Sequence, residues 1–92
     1  MNNFSVPVET KKLMAEYVRG IIDGAYFISD NAGELLNDEW ITWSDDFDIN
    51  IFLNNDGDLV AAVHPVKLST NPDAPGMRST DGSQYVMLNL HK

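Results

Sequence analysis

Residues 40–64 read WITWSDDFDINIFLNNDGDLVAAVH, and the fold class is decided there. Short runs rich in Trp, Ile, Phe and Val, broken by clusters of Asp, Asn, Ser and Gly, are the pattern of strands joined by turns. Trp40 to Trp43 is expected to be one strand, Ser44-Asp45-Asp46 a turn, and Phe47 to Asn54 a second strand. Asp56-Gly57 is the pair favoured by a two-residue hairpin turn. Leu59 to His64 is the returning strand, closed by Pro65, which has no N–H for a ladder.

A two-residue turn at Asp56-Gly57 sets a register, because side chains alternate across a sheet. It predicts Ile49, Ile51 and Leu53 on one face with Val60, Ala62 and His64, and Phe52, Leu59, Ala61 and Val63 on the other with Asp48 and Asn50. A two-residue turn at Asp45-Asp46 would add Trp40 and Thr42 to the first face and Ile41 and Trp43 to the second. Each face then carries large apolar groups, and one helix covers only one of them. The long loop or a second copy of the chain is expected on the other, and two-fold homodimers are the commonest oligomers.

Upstream, Met14, Tyr17, Val18, Ile21 and Ile22 form one apolar stripe at helical spacing. The expected helix covers roughly residues 6–23, with Ser5 as N-cap, Pro7 in the first turn and Gly24 as the stop. Ala25 to Ser29 reads as a short strand, Asp30 to Gly33 as a turn, and Glu34 to Glu39 fits a loop, a helical turn or a strand. Downstream, residues 68–83 are rich in Ser, Thr, Asp, Gly and Pro and read as a long loop; Gln84 to Leu90 reads as a last strand. The expectation is a single α+β domain over residues 1–92, one N-terminal helix packed on a mainly antiparallel sheet, a meander of about four to five strands.

Charge is distributed unevenly. Between Gly20 and Val66 stand ten acids, Asp23, Asp30, Glu34, Asp38, Glu39, Asp45, Asp46, Asp48, Asp56 and Asp58, with no Lys or Arg. The six bases lie outside that span, at Lys11, Lys12, Arg19, Lys67, Arg78 and Lys92, and the formal net charge is −8. Such a field repels nucleic acid and acidic membranes and attracts basic surfaces. Direct DNA or RNA binding needs clustered Lys and Arg, which the chain lacks. It also has no cysteine, so thiolate zinc sites and thiol nucleophiles are excluded, and a cytoplasmic location is expected. No apolar run approaches the roughly 20 residues of a membrane helix, and Met1-Asn2-Asn3-Phe4-Ser5 is no basic-then-apolar signal sequence.

Candidate chemistry is sparse. Asp45, Asp46 and Asp48 are dense enough for a carboxylate-held magnesium ion, but the bland reading, an acidic hairpin turn, needs less. Asn54 to Asp58 resembles a calcium loop, yet with Gly57 sixth the twelfth position is Val63, which cannot ligate, so the hairpin reading stands. His64 ends an apolar strand and fits a core or interface role; Ser44, Ser79 and Ser83 lack the setting of a nucleophile. The expectation is therefore no enzyme, no metal and no cofactor. Trp40 and Trp43, three apart on a strand, should face opposite ways, one into the core and the other toward a dimer or partner contact.

The acids carry the functional reading. Duplex DNA presents about one charge per 1.7 Å of axis, counting both strands. Asp38, Glu39, Asp45, Asp46, Asp48, Asp56 and Asp58 are the candidates to imitate it, since acids two apart on a strand project the same way. In length, acidity, absence of Cys and Asn/Asp/Ile-rich composition, the whole chain resembles the Arn-type anti-restriction DNA mimics of T-even bacteriophages. That resemblance implies a homodimer with a bent acidic surface, acting in host cytoplasm on a modification-dependent restriction nuclease of the McrBC type. The expected function is then inhibition by occupying the DNA-binding cleft of a host defence protein. The alternative is an acidic immunity-type or adaptor protein that binds a basic partner without imitating DNA.

Overall fold

In the computed structural model, residues 4–68, 72–73, 78–80 and 82–90 are described. They form an α+β fold: a long N-terminal helix lies against a curled antiparallel sheet. Helix α1 spans Val8–Ile28, a short helix α2 spans Ala32–Leu36, and strands follow at Glu39–Thr42 (β1), Phe47–Leu53 (β2), Leu59–Leu68 (β3), Arg78–Thr80 (β4) and Val86–Met87 (β5). The sheet order is β1-β2-β3-β4, with β5 also pairing β3.

Helix α1 runs about one turn past its expected end. Gly24 does not stop it; Ser29 does, in an extended conformation, with its N–H donating to the Ala25 carbonyl at 2.9 Å. The Ala25–Ser29 segment is therefore helical up to Ile28. Of that segment Ala25 packs against the core, while Phe27 and Ile28 stand in solvent, which is the burial pattern of a helix turn. At the other end Pro7 occupies the N-cap position and no side chain caps the helix, so Ser5 does not serve there. Met14 and Val18 are fully buried, each worth about 1.5–3 kcal/mol of transfer free energy. Residues 34–39 divide between α2, whose Ala32 and Leu36 are buried one turn apart, and the start of β1.

The two central turns each hold three residues, not two. Asn54 N–H donates to the Asp58 carbonyl and Gly57 N–H to the Asn54 carbonyl, both at 3.0 Å, and Gly57 has φ 83. This is a type I turn closed by a left-handed residue, so Leu53 pairs with Leu59. At the first turn, Trp43 and Ser44 both donate to the Phe47 carbonyl at 3.2 Å, and Thr42 pairs with Asp48. One extra residue per turn reverses which face β1 and β3 present relative to β2. Ile49 and Ile51 therefore share a face with Ile41, Ala61 and Val63, not with Ala62 and His64. This register collects the branched apolar side chains under α1, in a core with Val6, Met14, Val18, Leu36 and Leu88.

Pro65 does not end β3. Val66 N–H donates toward β2, to the Asp46 carbonyl at 2.9 Å. The preceding nitrogen therefore points to the opposite edge, between the stretch paired with β5 (Ala62, Val63) and the stretch paired with β4 (Val66 to Leu68). The expected loop at 68–83 contains β4, and its remaining residues lie partly outside those described. The expected last strand shortens to Val86–Met87, with Leu88 N–H adding a bond to the Ala61 carbonyl at 2.9 Å.

Candidate functional site: an acid end and an open sheet face

The seven nominated acids do not form one row. Asp45, Asp46 and Asp48 lie at the β1–β2 turn, where β2 begins, while Asp56 and Asp58 lie in the turn that follows its end. Six residue steps along β2 separate the two turns by about 20 Å. Asp38 and Glu39 join the second group, since Glu39 pairs with Ile51 and Asn37 Oδ1 accepts from Leu53 N–H at 3.2 Å.

The first group is partly neutralised from within the chain. Arg78 on β4 donates from Nη2 to Asp48 Oδ1 at 2.7 Å and from Nε to the same oxygen at 3.3 Å. Its Nη2 also reaches the carbonyls of Ser44 and, at 3.4 Å, Phe47. Nη1 stands 4.0 Å from Asp45, whose side chain is almost wholly exposed. The Asp48 side chain is only 15% exposed, so its charge is committed to Arg78 and unavailable to a partner. Among the described residues no three carboxylate or imidazole groups converge as a metal site. Sequence reasoning missed Arg78; thirty residues separate it from Asp48, and β4 was hidden in a stretch that read as loop.

The second group lies at the end of the molecule where α1 finishes. Asp23 and Tyr26 of α1 share a cleft with Asn54 and Asp58, and α2 touches β2 through Gly33 and Leu53. Asp23, Asp30, Glu34, Asp38, Glu39, Asp56 and Asp58 are thus gathered on α1's last turns, α2 and the adjoining turns, all exposed. No basic residue occupies the last turn of α1, so the helix dipole adds negative potential at this end. Arg19 marks the border, in the same cleft as Asp23 and Asp58. The remaining described bases lie toward the opposite end: Lys11 and Lys12 in the first half of α1, Lys67 beside the β4 pairing, and Arg78. The molecule measures 45 × 28 × 23 Å, and its charge is divided along its length.

The two tryptophans face opposite ways. Trp43 packs against the core and meets Tyr17 edge-on, ring centres 5.9 Å apart. Trp40 is half exposed on the sheet face away from α1, its ring 5.1 Å from that of His64. The Tyr85 ring lies 6.0 Å from that of His64. His64 and Tyr85, with Phe52 and Met87, surround a shallow hollow of about 290 Å³, floored by Asn50 and Ala62 and bordered by Asp38 and Gly82. The expected cover for this face is supplied only in part, by Gly82 and Tyr85 from the C-terminal segment. Asp38 is the one non-glycine among the described residues with positive φ, at 64, a conformation that turns the chain from α2 into β1. Among the described residues His64 Nδ1 is the one buried side-chain nitrogen or oxygen without a hydrogen-bond partner.

No helix among the described residues is long and apolar enough to cross a membrane. No family model matches this sequence, and neither a curated protein nor a solved structure shows significant similarity to it.

Proposed function

We propose that this chain is a binding protein without turnover that seats its acid end in the basic, DNA-binding cleft of a partner protein and so excludes DNA. The supporting observation is the segregation of charge: seven exposed acids on α1's last turns, α2 and the neighbouring residues, with Arg19 at their border and the other described bases toward the opposite end. A surface of one sign on an otherwise mixed molecule favours a partner of the opposite sign and speeds the encounter. The resemblance of the whole chain to phage anti-restriction proteins points to a modification-dependent restriction nuclease as the class of target.

The acids assigned to partner binding are Asp38, Glu39, Asp56 and Asp58, with Asp23, Asp30 and Glu34 beside them. Asp45 and Asp46 are secondary contacts at the far end, and Asp48 is reassigned to the fold. The test is capture of DNA-binding proteins from bacterial lysate on the immobilised chain, with and without excess duplex. Partners should be recovered only without duplex, and their binding should fall steeply with salt, because exposed charges are screened. Changing Asp38, Asp56 and Asp58 together to Asn should weaken a captured partner's affinity by about tenfold or more. Changing Asp45 and Asp46 should weaken it less.

A second reading is favoured by the Asp48–Arg78 pair and by the split of the acids between two ends, neither of which suits a continuous phosphate-like row. In that reading the chain is an adaptor or immunity-type protein that fits a basic partner by shape. Partners that stay bound in excess duplex would select it.

A further inference from the structure

We propose that the hollow on the open sheet face is a receptor for an arginine side chain of the partner protein. The inference deepens the preceding reading and rests on it for the identity of the partner, but it assigns a surface that shares only Asp38 with the acid end: the β1–β2–β3–β5 face turned away from α1.

Two features of the hollow converge on a guanidinium. Its walls are aromatic and soft, from Phe52, Tyr85 and Met87, and the half-exposed Trp40 ring lies tilted against that of His64, one of the lining residues. Aromatic faces attract cations through the ring quadrupole, and a planar guanidinium stacks on them better than a compact ammonium. Asp38 stands at the border, and a carboxylate beside a largely apolar hollow favours a cation over a neutral group. His64 also lines the hollow, and a guanidinium offers five N–H donors to the Asp38 carboxylate.

Charge also argues for this occupant over a second copy of the chain. Each copy carries a net charge of −8, and Asp38 borders the face, so pairing two such faces brings like charges together. Arg78, one of the few bases a second copy could offer, is already bound to Asp48.

The test uses the full chain and the peptide acetyl-Gly-Arg-Gly-amide, with the lysine and citrulline versions as controls, followed by amide and indole NMR signals. The arginine peptide should shift the Trp40 indole N–H and the Asn50 side-chain amide saturably, and leave the Trp43 indole unmoved. The lysine peptide should bind more weakly, and the citrulline peptide, which keeps the shape but lacks the charge, weaker still. Asp38→Asn and Tyr85→Ala should each lower the arginine peptide's affinity by about fivefold. An unchanged Trp43 signal in these variants verifies that they remain folded. Equal binding of the citrulline peptide, shifts confined to Trp43, or absence of saturable shifts would overturn the assignment. So would Trp40 shifts that track protein concentration without peptide, since a second copy would then hold the face. The two readings fail separately. Arginine binding that depends on Asp38, alongside lysate capture indifferent to salt and duplex, would sink the DNA-cleft reading alone. Duplex-sensitive capture unaltered by Tyr85→Ala, with no peptide binding, would sink the arginine receptor alone.

Discussion

Arg78 links three backbone or side-chain groups that are otherwise 30 or more residues away from it in sequence. Its guanidinium satisfies a carboxylate that is mostly removed from water, and truncating it would leave Asp48 charged and unpaired. Arg78→Ala should lower unfolding free energy by about 1–3 kcal/mol, as loss of a charged hydrogen bond to a part-buried group does. The exposed Lys67, altered the same way, should change stability by no more than about 0.5 kcal/mol. Urea midpoints of the two variants check this; equal values would show that the Asp48 pair is incidental. The pair also explains why counting acids along the chain overstates the available charge. Spacing places Asp46 and Asp48 on one strand, but which of them meets a cation depends on where β4 docks. That docking is a long-range outcome with no local signature. The opposite facing of Trp40 and Trp43, by contrast, follows from alternation alone and was legible.

At the level of elements, period and length were readable while parity was not. The strand pattern of residues 40–64 and the helical stripe from Met14 to Ile22 both produce the expected element types. The face assignment failed because Asn-Asp-Gly serves a three-residue turn as readily as Asp-Gly serves a two-residue one. What decides between them is which register buries Ile49, Ile51, Ala61 and Val63 together. Gly57 supplies the left-handed residue that the longer turn requires, so Gly57→Ala should cost about 1–2 kcal/mol. Gly24 was misread for a related reason. Glycine is common just past helix ends, yet here it lies within α1, exposed, with open space where a Cβ would project. Gly24→Ala should therefore stabilise the protein by about 0.5–1 kcal/mol through the unfolded chain. Thermal unfolding should show a rise of about 4–8 °C per kcal/mol for a domain of this size. A fall in midpoint would mean that the last turns of α1 need the glycine.

Across the whole molecule, the sequence disclosed the sign of the surface but not its geography. Ten acids without a base in one stretch became two groups because a strand of seven residues lies between their turns. The same folding carried α1's C-terminal turn to the more acidic pole. That turn exposes Phe27 and Ile28, 92% and 84% accessible, with Tyr26 and Leu35 also open to solvent. Greasy tips of this kind ordinarily stick to each other. Here Asp23, Asp30 and Glu34 surround one, so each molecule repels the tip of the next. Colloidal behaviour should accordingly invert the usual pattern for a salt-sensitive complex: adding sodium chloride, while loosening the grip on a basic partner, should promote clustering of the free protein. Light scattering between low and physiological ionic strength would display that, and Phe27→Ser with Ile28→Ser should abolish it. Electrostatic repulsion would then be the agent that keeps an adhesive tip dispersed until a positively charged surface arrives.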